Sequence, residues 1–105
     1  MNETQTSRIY THNRMESRYE VLRAFGLSLK EINGRGRSKS VVAARHTIAA
    51  ISMHLCGMSS TEAAIHAGLG SHSSALYASR RFLEGQYDAY PVSKKYRSII
   101  TEDQQ

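Results

Sequence analysis

Two groups of residues in this chain have the types and spacing to bind a polyanion. Arg35, Arg37, Lys39 and Arg45 fall within eleven residues, with no carboxylate between them. Arg35-Gly36-Arg37 is an extended arginine pair relieved by a glycine, a shape suited to a narrow groove of negative potential. The second group opens the run GSHSSALYASRR: Ser71, His72, Ser73 and Ser74 are small and polar, and Arg80 and Arg81 follow two turns later. Small hydroxyls and an imidazole at a helix start allow close approach to base edges and phosphates, where bulky side chains would hold the helix away.

Other chemistries find less support. Five histidines (His12, His46, His54, His66 and His72) raise the question of a metal, most of all His54 beside Cys56. Two positions apart on a helix put those side chains on different faces, and neither HExxH nor paired-cysteine spacing occurs, so no metal or other cofactor is expected. The single cysteine excludes an internal disulfide framework and reads as a small hydrophobe. Ser71, Ser73 and Ser74 lie outside any G-x-S-x-G context, and no GxxxxGK[ST] phosphate cradle is present. Enzymatic activity and a small-molecule substrate are therefore not expected.

Charge localises the binding chemistry. The chain has 105 residues and a net charge of +5, from fourteen Lys and Arg against nine Asp and Glu. Both ends balance: residues 1–20 and 86–105 each hold three basic and three acidic residues. The whole excess sits in residues 21–85, the electrostatic footprint of a polyanion binder. At this length one modest core can form and a two-domain enzyme does not fit. No apolar run approaches the roughly 18–20 residues of a membrane span, and the N-terminus lacks the apolar stretch of a signal peptide. The expectation is a cytoplasmic protein, associated with the nucleoid, that does not engage membranes.

These residues are positioned by helices. Residues 14–25 carry a stripe of Met15, Tyr19, Leu22 and Phe25, with Gly26 as the stop. Ser28 and Glu31 form a capping box for a short turn through Ile32, and NGRGRSKS (33–40) is a loop by composition. Residues 43–56 resume the period with Ala44, Ile48, Ile51 and Leu55, ending at Gly57. Ser59 and Glu62 cap a helix over 60–67 that ends at Gly68. Ser71 caps another over 72–84, with Ala75, Leu76, Ser79, Phe82 and Leu83 facing inward and Gly85 as its stop. A last helix over 93–101 places Tyr96, Ile99 and Ile100 on one face. The fold class is all-α, about five or six short helices, with a helix-turn-helix over about 60–84. Residues 1–12 are expected to be a flexible segment ahead of a single helical domain, 13–105.

Three stretches bear a resemblance to a known family. FGLSLKEINGRGRSKSVV, ARHTIAAISMHL and GLGSHSSALYASRRF resemble, from Val21 to about Gly85 and without gaps, the C-terminal DNA-binding domain of the bacterial chromosomal replication initiator, DnaA. KYRSII resembles that family's last helix. The third stretch matches a signature that in the family commonly reads GGRDHTTVLHACRKI. The resemblance implies an all-α fold that recognises duplex DNA. It implies that Arg37 enters the minor groove, that Arg45 contacts a phosphate, and that His72, Ser73 and Ser74 approach bases and backbone in the major groove. It places Tyr77, where the family usually has histidine, beside that surface. Lys39 and Arg80 or Arg81 would hold phosphates.

The departures shape the expectation. Gly70-Ser71 replaces the signature's Arg-Asp pair, which removes a bidentate guanine reader worth about 1–3 kcal/mol of discrimination at one base. Ser73 and Ser74 lack the methyl groups of threonine, and Met53 stands where the family often has a lysine. The family's own box is thus not the expected target, and without an ATPase motif the chain is expected to act as a free-standing domain. The leading expectation is a transcriptional regulator of bacterial or bacteriophage origin with double-stranded DNA as partner. An accessory replication or genome-packaging factor, and a protein-docking module antagonising an initiator, are the alternatives. A homodimer is also weighed, through Tyr87, Tyr90 and Tyr96 with Ile99 and Ile100.

Overall fold

The computed structural model describes residues 10 and 12–103, and all regular structure among them is helical. The elements are α1 (Arg14–Phe25), α2 (Leu29–Ile32), α3 (Lys39–Leu55), α4 (Ser60–Ala67), α5 (His72–Leu83) and α6 (Pro91–Asp103). None of these helices is long and apolar enough to cross a membrane.

Local chemistry sets the helix ends. Asn13 caps α1 by accepting from the Met15 and Glu16 amides at 2.8 and 3.0 Å. Ser28 with Glu31, and Ser59 with Glu62, form complete capping boxes on α2 and α4. At the far ends of α1 and α4, Gly26 and Gly68 take left-handed conformations, and the following amide bonds back across the turn (Leu27 to the Leu22 carbonyl, Leu69 to the Ala64 carbonyl). Two helix starts differ from the sequence expectation. Ser38 caps α3, so this helix starts at Lys39 and the loop is shorter; α6 starts at Pro91, a residue suited to a first helical position.

Helix α3 runs through the centre. Every residue from Ala43 to Ser52 is buried, and the other five helices all pack on it. Its alanines let neighbours approach closely, while Ile48, Ile51 and Leu55 meet Phe82 of α5 and Ile100 of α6 in one core. Polar groups inside this core are matched: Thr47 and Ser93 share a 2.7 Å hydrogen bond between α3 and α6. Tyr96 of α6 donates to Glu20 of α1 at 2.5 Å, and Lys95 pairs with the same carboxylate at 2.6 Å.

Several side chains sit differently from the sequence expectation. On α1 the inward face is Ser17, Val21 and Leu22, with Met15 and Tyr19 57% and 62% exposed. Ser17 takes an inner place because its hydroxyl is satisfied locally by the Asn13 carbonyl, leaving a small side chain that fits against Cys56. Leu76 on α5 faces solvent at 53% exposure. Tyr96 and Ile100, considered for a dimer or docking contact, are core residues, and Tyr90 packs on Phe25 with ring centroids 4.7 Å apart. Of the segment expected to be flexible, residues 1–9 and 11 lie outside the described residues. Tyr10 rests against Gly57, and His12 bonds the Leu55 carbonyl.

Gly68 carries two constraints at once. Its φ is 77°, and a β-carbon there would collide with the Ile32 carbonyl oxygen. Gly26, with φ 69°, has open space around it. Gly26→Ala should therefore cost only the left-handed strain of about 1–2 kcal/mol. Gly68→Ala should cost more than about 3 kcal/mol, because the helix-turn-helix corner must also move off α2. Urea unfolding of both variants checks the difference, and equal midpoints would contradict it.

Candidate nucleic-acid interface

The site is organised from below by Arg45, in the second turn of α3. Only 8% exposed, its guanidinium donates to four backbone carbonyls of the preceding segment: Nε to Ile32 at 2.9 Å, Nη1 to Gly36 at 2.8 Å, and Nη2 to Gly34 at 2.8 Å and Glu31 at 3.5 Å. The planar fork thus clamps the end of α2 and the first half of the loop onto α3. Burial lowers the Arg45 pKa first, and the nearby Arg37 charge lowers it further. Arg45 is brought into the site, but in a role other than the phosphate contact the resemblance implies. A guanidinium taken out of water needs acceptors, and this loop has no carboxylate to supply them, so carbonyls do.

In the clamped loop Arg35 and Arg37 are exposed, separated by Gly36, around which no atom would obstruct even a β-carbon. Lys39 is exposed in the first turn of α3. Across from the loop, α5 is capped by Ser71, whose hydroxyl accepts from the Ser74 amide at 3.2 Å. His72, Ser73, Leu76, Tyr77 and Arg80 form the exposed face of α5, with Ser74 half-buried behind them. Leu76 is the residue that sequence reasoning missed here. An apolar side chain on a helix reads as core by type, and only packing shows that it stands on the outer face.

A concave groove of about 800 Å³ joins the two halves. The loop contributes Arg35 and Arg37, α3 Arg45, the corner Gly68 to Gly70, and α5 Ser74, Tyr77 and Arg81. No carboxylate lines it. Helices α1, α2 and α4 each carry a glutamate in the first turn, whereas α3 and α5, whose first turns border this groove, carry none. Their positive dipole ends therefore add to the arginine charges.

The floor is aromatic. The Tyr87 hydroxyl and His46 Nδ1 share a 2.6 Å hydrogen bond, and His46 meets the Tyr77 and Tyr87 rings edge-on. The Arg80 and Arg81 guanidiniums lie 5.4 and 5.7 Å from the Tyr77 ring centroid, so one exposed tyrosine steadies both cations. Burial, then Arg81 and Arg45, push the His46 pKa down, and the residue is neutral near pH 7. Burial raises the Tyr87 phenol. Neither floor residue carries a sequence signal: they are 41 positions apart and meet only through the packing of α3 on the turn after α5.

The structure brings Arg35, Arg37, Arg45, Ser74, Tyr77 and Arg81 to one groove; Lys39, Ser71, His72, Ser73 and Arg80 lie outside its lining, Arg80 directly before Arg81 on α5. It gathers no group of three or more His, Cys, Asp or Glu that could hold a metal among the described residues. Burial raises the Cys56 thiol pKa, away from nucleophilic character. Comparison with family models, curated proteins and solved structures gives no match.

Two outcomes follow from this geometry. Arg45→Lys keeps a charge but cannot reach four carbonyls, and should lose about 1.5–3 kcal/mol with faster amide exchange across residues 34–37. Exchange measured by NMR checks it, and unchanged loop protection would remove Arg45 from this role. For pH, the folded-state pKa of His46 and of His66 lies below the ordinary value of 6.5 in each case because of burial. Below pH 6.5 the unfolded chain takes up protons that the folded chain refuses, so stability holds above that pH and declines as pH falls beneath it. Urea midpoints from pH 7.5 to 5 should fall, and fall less steeply in His46→Gln.

Proposed function

We propose that this chain binds duplex DNA and reads its sequence, acting as a transcriptional regulator. Helix α5 enters the major groove, the loop carrying Arg35 and Arg37 lies in the adjacent minor groove, and the phosphate backbone between them follows the cationic groove. The observation that carries this reading is the carboxylate-free groove that runs from a clamped arginine loop to Ser74 in the first turn of α5, beside the exposed His72 and Ser73. The resemblance to the C-terminal domain of the chromosomal replication initiator supports the same docking. Its implied roles fall on Arg37, His72, Ser73 and Ser74 of this chain.

Each contact has a physical job. Arg35 and Arg37 suit an A·T-rich minor groove, where narrowing concentrates negative potential. His72 and Ser73 supply hydrogen-bonding groups to base edges. Leu76, one turn on and exposed, offers an apolar contact to a thymine methyl in place of the missing guanine reader. Lys39, Arg80 and Arg81 neutralise phosphates on either side. Positioning by phosphates and reading by α5 are thereby separable.

The test is fluorescence anisotropy against a pool of duplexes at several salt concentrations, with sequencing of the retained fraction. The expected result is an enriched motif and a log–log salt slope of about −3 to −5. Arg37→Ala should lose affinity about tenfold on duplexes with A·T-rich flanks and less on G·C-rich ones. His72→Ala should shift the motif with little change in slope. Absence of duplex binding at moderate salt would overturn the proposal; binding without a motif would leave only an architectural role.

A further inference from the structure

A second groove lies on the outer side of α1 and shares no lining residue with the cationic one. It encloses about 330 Å³, with Met15, Tyr19, Leu22, Leu27 and Leu29 as its apolar surface. Three large hydrophobics that the fold leaves exposed meet here: Met15 at 57%, Tyr19 at 62% and Leu29 at 43%. Single exposed apolar residues need no explanation, but a concave cluster of them marks a contact surface. Its rim is basic. Arg18 and Arg23 line the groove and no carboxylate does. Glu20, on the same helix, is held away by Lys95 and Tyr96 of α6.

The rim cations are also organised. The Arg23 guanidinium lies 5.8 Å from the Tyr19 ring centroid. Arg18 donates to the His66 carbonyl at 3.2 Å and to Met15 Sδ at 3.7 Å, which fixes it beside the apolar floor. We propose that this groove docks a short acidic, amphipathic segment of a partner protein, two or three apolar side chains filling it while flanking carboxylates meet Arg18 and Arg23.

Charge and size favour this occupant over others. Two rim arginines fall short of the cluster of about four to eight that holds a protein to an anionic membrane. A second copy placed by two-fold symmetry would bring the same arginine rims face to face, which is repulsive. A pocket of this size accepts the i, i+4 anchors of one helix turn, the mode by which amphipathic helices seat in apolar grooves.

The test uses the full chain, immobilised, against random 16-residue peptides displayed on phage, with excess short duplex DNA present to occupy the cationic groove. The expected result is enrichment of net-acidic peptides with two or three apolar residues at helical spacing. Their affinity should fall at least tenfold in Tyr19→Ser and in Leu29→Ser, fall in Arg23→Glu, and stay unchanged in Arg37→Ala. All of these positions are exposed, and circular dichroism confirms that the variants fold. Duplex binding by Tyr19→Ser should equal that of the parent chain, so this proposal and the DNA reading fail separately. No enrichment, or enriched peptides indifferent to Tyr19, would overturn it. Self-association abolished by Tyr19→Ser would also overturn it, in favour of a second copy. Tyr19-dependent sedimentation with phosphatidylserine vesicles would overturn it in favour of a membrane surface.

Discussion

The burial of one guanidinium governs the arrangement of everything around the cationic groove. Arg45 lies inside the helical body, where an unpaired charge would cost several kcal/mol. The carbonyls of Glu31, Ile32, Gly34 and Gly36 answer it, so a segment that composition marks as a loop is tied at two points and the end of α2 at two more. The Ile32 carbonyl serves a second purpose, because Gly68 packs directly against it at the corner between α4 and α5. The loop and the helix-turn-helix are therefore referenced to the same peptide group. Moving either one displaces an acceptor that Arg45 needs.

That shared reference explains how a small domain can hold an exposed loop and a helix-turn-helix in fixed relation. Loops are ordinarily mobile, and the entropy of ordering one on a ligand subtracts from affinity. Here ordering is already done by a residue that itself faces inward, which leaves Arg35 and Arg37 free to meet a ligand. Tyr77 plays the matching part on α5 by holding Arg80 and Arg81 over its ring. The neutral His46 beneath, bonded to Tyr87, supports that platform without adding a charge to a region already crowded with arginines.

How much of this was legible in the sequence depended on how local its cause was. Capping boxes at Ser28-Glu31 and Ser59-Glu62, and the stops at Gly26 and Gly68, are written within four residues, and the structure has each of them. The inward stripe of α3 was legible because Ala44, Ile48, Ile51 and Leu55 are apolar by type and buried in fact. The apolar stripe on α1 matches the buried face only in part, because hydrophobicity does not ensure burial: Leu22 is inside and Met15 is not. Ser17 is inside since its hydroxyl bonds its own helix, while Tyr19 is outside. The inward place of Tyr96 and Ile100 has no local signal, since it depends on α6 closing over α1 and α3. Of the site, the loop arginines and the start of α5 were visible as residue types. The inward turn of Arg45 and the meeting of His46 with Tyr87 were not, since both depend on contacts across 9 to 41 positions.

The two grooves differ in the way their charge is used, and that difference separates their ligands. In the first, arginines from the loop and from α5 stand over polar and aromatic surface, flanked by two helix N-termini without acidic residues. Such a surface gains by exchanging counterions for a dense, repeating anion, and gains little from apolar burial. In the second, two arginines edge a floor of Met, Tyr and Leu side chains, where removal of apolar area from water drives contact and charge only selects among partners. A repeating polyanion has no side chains to fill that floor, and an amphipathic segment has too few charges to compete in the first groove. The two grooves share no lining residue, so occupancy of one leaves the surface of the other open.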